Sequence, residues 1–133
     1  MGLNLRGYKL DIETYESLIS MDRKTKGIQG EGIAKNHYER HGYEVLEQNF
    51  RHGRSEIDLI VMKNEQLLVF VEVKNRSRKD FGEAETFVSE AQQNRIREAA
   101  EEYIYGINWQ KDIRFDIACV QSDGKIEIFE DAF

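Results

Sequence analysis

EIDLIVMKNEQLLVFVEVK, residues 56–74, is the stretch of this 133-residue chain that decides its fold. Residues 56–62 and 66–74 are rich in Ile, Leu, Val and Phe, and the polar residues 63–65 separate them. That pattern is typical of two buried strands joined by a tight turn. If the hairpin turns about residues 64 and 65, residues whose numbers sum to about 130 lie opposite one another.

The flanking sequence predicts the remaining elements. A helix is expected from Gly27 to a stop at Gly42, with one apolar side formed by Ile33, Ala34, His37 and Tyr38. Residues 43–50 predict a strand before the hairpin, and a long second helix follows it with the apolar set Val88, Ala91, Ile96, Ala99, Ala100, Tyr103 and Ile104. Residues 113–120 and 125–129 predict two closing strands around the turn Ser122-Asp123-Gly124. The order helix, three strands, helix, two strands indicates an α/β domain with one central mixed five-stranded sheet flanked by helices.

Length and composition restrict the class of protein. The chain is long enough for about one domain, which we place at residues 26–133. Residues 1–25 form an N-terminal extension with a short helical pattern, which packs either on the domain or on a partner, including a second copy in a homodimer. Cys119 is the single cysteine, which excludes a disulfide framework. No apolar run reaches the roughly eighteen residues of a membrane span, so we expect a cytoplasmic protein without a membrane partner.

Charged residues within the apolar strands form the first candidate site. Glu72 and Lys74 lie two apart and point to the same face of their strand, and the hairpin register places Asp58 opposite or diagonal to Glu72. Two neighbouring carboxylates suit a hard divalent cation such as Mg²⁺ or Mn²⁺, and a lysine beside it could orient water or neutralise phosphoryl charge. The other interpretation, a solvated sheet face with cross-strand ion pairs, stays open on spacing alone.

Longer motifs carry a resemblance to a known family. Asp58 followed by Glu72-x-Lys74 is similar to the PD-(D/E)xK nuclease signature. Eight short motifs share their order and spacing with a known family. They are Gly-x-x-Gly-Glu-x-x-Ala at 27–34, Gly-Tyr at 42–43, Asn-Phe-Arg at 49–51, Glu-Ile-Asp-Leu-Ile at 56–60, Phe-Val-Glu-Val-Lys at 70–74, Arg-Ser at 76–77, Phe-Gly at 81–82 and Arg-Phe-Asp at 114–116. Through these motifs the chain, from about residue 26 to its end, resembles the YraN-like family of predicted endonucleases.

The resemblance implies a restriction-endonuclease-like fold and metal-dependent hydrolysis of phosphodiester bonds in nucleic acid. It implies Glu31, Asp58, Glu72 and Lys74 as the catalytic set. The metal ligands are then Glu31, Asp58, Glu72 and the carbonyl of Val73, and Lys74 positions or activates water. Without the family, Glu31 is interpreted as an acid favoured by the dipole in the first turns of its helix.

Gln92 departs from the family pattern, in which a lysine usually stands at the start of the second helix. A Gln there is either an auxiliary residue for phosphate or water, or part of a capping box, since Ser89-Glu90-Ala91-Gln92 has the S-x-x-Q form. The absent charge also supports an alternative function, a nucleic-acid-binding or interaction module with little or no catalysis on the same fold.

The charge balance bears on the partner. The formal net charge of −6 argues against a nucleic-acid partner. The negative charge is regional, however, since residues 1–82 carry 14 basic and 13 acidic side chains, whereas residues 83–133 carry 5 basic and 12 acidic ones. Two basic loops beside the candidate site are expected to contact phosphate, through Arg51, Arg54, Arg76, Arg78 and Lys79. We therefore expect a nucleic-acid partner, DNA before RNA, bound weakly and in a salt-sensitive manner.

Four other features have structural interpretations. His37 and His41 have the spacing of two metal ligands on a helix but are expected on the surface. The zincin motif would need a glutamate after the first histidine, and this chain has Tyr38 there. Trp109 and Tyr105 are expected to anchor the end of the long helix rather than to stack on a base. Two further residues receive structural roles, Cys119 as a small buried hydrophobe and Asp116 as a strand residue paired with Arg114.

Overall fold

The computed structural model describes residues 29–76 and 88–133, which form two helices and a five-stranded sheet. Residues 29–40 form α1. The strands and the second helix are β1 Tyr43–His52, β2 Ser55–Lys63, β3 Leu67–Arg76, α2 Glu90–Ile107, β4 Asp112–Gln121 and β5 Ile126–Phe129. The predicted order of helix, three strands, helix and two strands is confirmed. The N-terminal extension 1–25, Arg78 and Lys79 lie outside the described residues.

The sheet has the strand order β1-β2-β3-β4-β5. β1, β2 and β3 form an antiparallel meander, β3 and β4 are parallel, and β5 returns antiparallel to β4. The fold is therefore α/β with a mixed sheet. In the central hairpin Leu59 pairs with Val71 and Ile60 with Phe70, which confirms the register predicted from the turn at residues 64 and 65.

The central strand β3 is buried on both faces because its apolar residues do not alternate with polar ones. Val69 and Val71 pack in a cluster with Ala34 and Tyr38 of α1. Leu68 and Phe70 pack in a second cluster with residues of α2, which are Ile96, Ala99, Ala100 and Tyr103. A strand covered on both faces explains why residues 67–73 form a nearly continuous apolar run.

Small residues bring α1 close to the end of β3. Gly30 is buried, and a Cβ atom at this position would overlap the side-chain amide of Asn75. Ala34, one turn further along, is fully buried. The glycine and alanine of the predicted 27–34 motif therefore set the distance between helix and strand.

A buried polar network joins three parts of the chain around Asp116. The Arg114 guanidinium forms two hydrogen bonds to this fully buried carboxylate, Nε–Oδ1 at 2.7 Å and Nη2–Oδ2 at 2.8 Å. The Tyr38 hydroxyl of α1 donates to Oδ2 at 2.8 Å, and the amide of Asp131 donates to Oδ1 at 3.2 Å. Burial raises the pKa of Tyr38, so its hydroxyl remains a donor. The structural pairing predicted for Asp116 and Arg114 is confirmed.

Two side-chain predictions are wrong. Ala91 is exposed rather than on the apolar side of α2, because it lies on the solvent side of the helix with Asn94 and Arg95, which are also exposed. Tyr105 is 84% exposed, so it does not anchor the helix end. Trp109 does anchor the helix end, since its indole Nε1 donates to the carbonyl of Asp112 at 2.9 Å and its ring packs against the core.

Cys119 and the histidine pair are where they were expected. Cys119 is fully buried, and burial raises the pKa of its thiol to about 11, so it remains a neutral hydrophobe at neutral pH. His41 is exposed and stacks on the half-buried His37 with the ring centroids 4.1 Å apart. No helix within residues 29–76 and 88–133 has the length and apolar content to cross a membrane.

Asn49 has a left-handed backbone in the middle of β1, with φ of 52°, where strand residues normally have negative φ. Its neighbours pair normally, Gln48 with Leu59 and Phe50 with Ile57, so Asn49 faces Asp58 across the ladder. Asparagine tolerates this conformation better than other non-glycine residues. The backbone is thus strained directly beside a candidate site residue.

We expect Asn49→Gly to be more stable than Asn49→Ala by about 1 kcal/mol, because only glycine adopts positive φ without steric cost. Chemical denaturation of both variants measures the difference in free energy of unfolding. The exposed neighbour Gln48 serves as the control, since it has an ordinary strand backbone and there glycine is expected to be the less stable substitution. The same order at both positions would contradict the strain at Asn49.

Candidate carboxylate–lysine site

The candidate site lies where β2 and β3 separate. The ladder between these strands runs from Lys63↔Leu67 to Leu59↔Val71 and stops there. Asp58, the next residue on β2, turns its carboxylate to the neighbouring strand, and its Oδ2 accepts a hydrogen bond of 2.7 Å from the amide of Val73. A side chain therefore takes the place of the next ladder bond, and this fixes Asp58 against β3.

Glu72 and Lys74 follow on β3 and share the face that α2 covers. Lys74 Nζ lies 3.4 Å from Glu72 Oε1, and the two side chains are only 17% and 11% exposed, Lys74 the more so. The placement confirms that the two residues point the same way. An ion pair so shielded from water is stronger than one on an exposed sheet face.

Gln92 of α2 joins this pair. Its Nε2 donates to Glu72 Oε1 at 3.1 Å, and its Oε1 lies 3.5 Å from Lys74 Nζ. The backbone takes part in capping, because the Ser89 hydroxyl accepts from the Gln92 amide at 3.1 Å. The side chain does not complete a capping box with Ser89, since it is directed to β3. The backbone amide caps α2 and the side chain belongs to the site.

The electrostatics of the cluster favour an added positive charge. Burial, and next the negative charge of Glu72, raise the pKa of Asp58 to about 7, although the Val73 amide opposes this. Burial also raises the pKa of Glu72, with Lys74 opposing the effect. Lys74 thus offsets only part of the negative charge that β2 and β3 bring together.

Glu31 is close enough to act on this cluster but does not complete it. Its charge contributes to the raised pKa of Asp58. In the part of the chain that the structure describes, no three His, Cys, Asp or Glu side chains are placed to hold a metal ion together. The reason lies in the layers, since α1 packs on one face of β3 and Glu72 projects from the other. The structure therefore does not assemble Glu31, Asp58 and Glu72 as one ligand group.

The donors that are present fit a divalent cation with few protein ligands. Mg²⁺ keeps several waters and is usually bound by one or two carboxylates, which Asp58 and Glu72 can supply. Burial, and next the charge of Glu72, raise the pKa of Asp58, and a cation beside the two carboxylates would oppose both effects. Their chemistry, hard oxygen donors without sulfur or imidazole, suits Mg²⁺ or Mn²⁺.

Sequence reasoning missed one member of the electrostatic cluster, Glu56. Its charge raises the pKa of both Asp58 and Glu72, while its own carboxylate pairs with Arg51 at 3.5 Å. The signal was available, because residues 56 and 58 alternate to the same face of a strand. Glu56 therefore increases the negative charge around Asp58.

Three basic residues lie toward the end of the sheet that carries the site. β2 and β3 run antiparallel, so the exposed Arg51 and Arg54, beside the start of β2, lie toward the same end of the sheet as Arg76 at the end of β3. One guanidinium nitrogen of Arg76 donates to the carbonyl of Asn75 at 3.1 Å. The other two predicted contacts, Arg78 and Lys79, lie outside the described residues.

This fold and this cluster define an α/β protein with a carboxylate–lysine site at the point where two strands part. The chain belongs to the Uncharacterised protein family UPF0102, whose sequence model matches residues 30–120. It is 42% identical over 103 residues to a UPF0102 protein of Cytophaga hutchinsonii, covering 77% of this chain and 90% of the relative. A UPF0102 protein of Shewanella oneidensis is 40% identical, with 82% of this chain and 99% of the relative covered.

Among solved structures, the chain is similar to SfsA of Pyrococcus furiosus in complex with Ca²⁺, at a TM-score of 0.30. The sequence identity is 14%, and the match covers 79% of this chain and 63% of SfsA. A similarity at this level is distant.

Proposed function

We propose that this protein hydrolyses phosphodiester bonds in nucleic acid with Mg²⁺ or Mn²⁺, as an endonuclease of the PD-(D/E)xK type with a restriction-endonuclease-like fold. The observation that supports it best is the convergence of Asp58, Glu72 and Lys74 at the separation of β2 and β3. A solvated sheet face would leave such side chains exposed, whereas Glu72 and Lys74 are almost completely shielded from water.

Each residue has a role that follows from its position. Asp58 and Glu72 would hold a divalent ion, which when bound would supply Lewis-acid polarisation of a phosphoryl oxygen and lower the pKa of a water. The Lys74 ammonium, kept in place by Glu72 and Gln92, donates a hydrogen bond to the phosphoryl oxygen that gains charge as water adds to phosphorus. Gln92 fixes Lys74 and Glu72 relative to one another, so its part in the reaction is positioning.

The charge distribution supports a nucleic-acid substrate, which we propose to bind at the end of the sheet that carries the site. Arg51, Arg54 and Arg76 lie at the site end of the sheet, where they neutralise phosphates on either side of the scissile bond. The acidic excess of residues 83–133 limits the affinity, so binding is weak and decreases steeply with salt. We propose DNA as the substrate before RNA.

A cleavage screen across single-stranded, duplex, flapped and branched DNA and RNA, with Mg²⁺ or Mn²⁺, tests the proposal. We expect wild-type protein to cut at least one of these substrates. Lys74→Ala should lower the rate by about 10²- to 10³-fold, the usual effect of removing one donor that stabilises transition-state charge. Asp58→Asn should lower it at least as far, because it removes the charge that holds the metal ion.

The matched control is Lys111→Ala. Lys111 is exposed, and its Nζ donates to the carbonyl of Glu65 at the other end of the hairpin, so cleavage should be unchanged. Equal cleavage by wild type, Lys74→Ala and Asp58→Asn would contradict the assignment. Binding of nucleic acid without cleavage, and without any effect of Mg²⁺ or Mn²⁺ on either, would instead favour the alternative function as a binding module.

A further inference from the structure

A cleft of about 700 Å³ opens on the α1 side of the sheet, beside the candidate site. Its walls are the first turns of α1, the end of β3, and the end of β4 with the turn that follows it. Pockets for small organic ligands have about this volume. The cleft is separate from the carboxylate–lysine site, because Lys74 projects to the α2 side of β3 and Asn75, the next residue, borders the cleft.

The lining of the cleft is nearly neutral and rich in carboxamides. Gln29, Asn36, Asn75 and Gln121 carry side-chain amides, each with donors and an acceptor. Ile33 and the buried Val120 are the apolar side chains of the same lining. Arg76 and Asp123 are of opposite charge, so the cleft does not suit a polyanion such as a free nucleoside triphosphate.

Amides above apolar surface match the chemistry of a nucleobase. Asn and Gln side chains form paired hydrogen bonds with base edges, and apolar side chains contact the base faces. We propose that this cleft holds one unpaired nucleobase of the strand whose phosphodiester bond lies at Lys74. The proposal rests on the proposed function for the position of that bond, and it narrows the substrate class to nucleic acid with an unpaired nucleotide at the cut.

The path between the two sites is short. Lys74 and Asn75 are adjacent, with Cα atoms about 3.8 Å apart, and they project to opposite faces at the end of β3. Gly30 and Gly32 line the cleft on either side of Glu31, whose charge acts on Asp58. A strand that crosses the end of β3 therefore meets the catalytic cluster with its phosphate and the cleft with a neighbouring base.

Gly32 offers a way to fill the cleft without disturbing the core. A Cβ at Gly32 meets no atom of residues 29–76 and 88–133 within 4 Å, and Gly32 is a helical residue that lines the cleft, so Gly32→Phe adds a large side chain at the cleft wall. Gly106 of α2 is the matched control, because it is also helical, is equally open within the described residues, and lies far along the helix from Gln92. Both substitutions replace a helical glycine by the same side chain.

The experiment measures binding of a fluorescent single-stranded oligonucleotide, by anisotropy in EDTA, to full-length wild type and to both variants. We expect Gly32→Phe to lose about tenfold or more in affinity for the single strand, the usual effect of losing one base contact, and to leave duplex binding unchanged. Gly106→Phe should bind both as wild type does. Wild type should bind an oligonucleotide that lacks the base held in the cleft more weakly than it binds the intact oligonucleotide. Gly32→Phe should bind the two oligonucleotides with equal affinity.

Hydrolysis of bis(nitrophenyl) phosphate, a phosphodiester without bases, separates this inference from the proposed function. We expect Gly32→Phe to hydrolyse it like wild type while its cleavage of single strands decreases. Single-strand binding equal to that of wild type would overturn the inference. A large loss of thermal stability in Gly32→Phe relative to Gly106→Phe would also overturn it, because the cleft would then be filled by the protein itself. If wild type hydrolysed neither bis(nitrophenyl) phosphate nor a single strand, the proposed function would be contradicted. The anisotropy comparison would still test whether the cleft binds a nucleobase.

Discussion

Asp116→Ala is expected to lower the free energy of unfolding by about 3–5 kcal/mol, because it breaks a buried ion pair by removing one partner. The substitution leaves the Arg114 guanidinium, which is only 16% exposed, without the carboxylate that accepts two of its hydrogen bonds. It also leaves the buried Tyr38 hydroxyl without its acceptor. In thermal unfolding, the midpoint should decrease on the order of 10–20 °C.

The control for this prediction is the other carboxylate on the same guanidinium. Glu130 lies 3.6 Å from Arg114 and is 62% exposed, so Glu130→Ala should cost about 1 kcal/mol or less. A second readout checks the mechanism, because the double variant Asp116→Ala with Tyr38→Phe should be less unstable than the sum of the single effects. A free energy of unfolding for Asp116→Ala within about 1 kcal/mol of wild type would contradict the prediction.

The sequence predicted most of the fold because two signals agreed in the central hairpin. The polar residues 63–65 set the turn and with it the register, and the apolar runs beside them place the strand ends within two residues. β3 is predicted by its run of Val, Leu and Phe after the turn, and the structure explains why this run is continuous, since the two helices cover both faces of the strand. Local chemistry therefore determined both the elements and their pairing.

The predictions that failed concern side chains for which distant packing decides. Ala91 was assigned to the apolar side of α2, yet it lies on the solvent side with the exposed Asn94 and Arg95. Tyr105 and Trp109 are both aromatic and near in sequence, but the Trp109 indole donates to the carbonyl of Asp112 and packs against the core, whereas Tyr105 is 84% exposed. Periodicity identifies the face of a helix but does not fix the edges of that face or the contacts of residues at its end.

For the candidate site, spacing predicted proximity and the structure supplied the electrostatics. Asp58, Glu72 and Lys74 could be placed together from the register alone. The two alternatives for Gln92 could not be separated by sequence, because the capping distance lies within the helix and the contact with Glu72 spans 20 residues. Glu31 also depends on a long-range contact, since the approach of α1 to β3 at Gly30 determines its distance from Asp58.

Asp58→Asn is expected to stabilise the metal-free protein at pH 8, although it removes a residue of the proposed active site. In the folded chain the pKa of Asp58 is raised from its ordinary 3.8 to about 7, first by burial and next by Glu72. Between about pH 4 and pH 7 the folded state therefore binds more protons than the unfolded state. The free energy of unfolding decreases as the pH rises through this window, and ionised Asp58 destabilises the fold above it.

The size of the effect follows from the same pKa. Since one pKa unit corresponds to about 1.4 kcal/mol, the loss above pH 7 has an upper bound of about 4 kcal/mol. Asparagine has no proton to lose, and its carbonyl still accepts the hydrogen bond from the Val73 amide. The difference in free energy of unfolding between Asp58→Asn and wild type should thus be near zero at pH 4 and grow to a few kcal/mol in favour of Asp58→Asn at pH 8. Chemical denaturation in EDTA measures this difference.

Divalent ions should reverse this order of stability between wild type and Asp58→Asn, because the proposed site binds the ion only when Asp58 is present. Mg²⁺ or Mn²⁺ at about 100 times its dissociation constant stabilises the protein that binds it by about 2.7 kcal/mol. The free energy of unfolding of wild type should increase by this amount at pH 8 and by less at pH 5, where Asp58 is protonated. That of Asp58→Asn should increase little at either pH. Asp123→Asn is the control, because Asp123 is exposed in the turn after β4 and its substitution should change neither the pH profile nor the response to metal. Parallel pH profiles for wild type and Asp58→Asn would show that Asp58 ionises at its ordinary pH, and the carboxylate cluster would then have no unmet charge for a cation to balance.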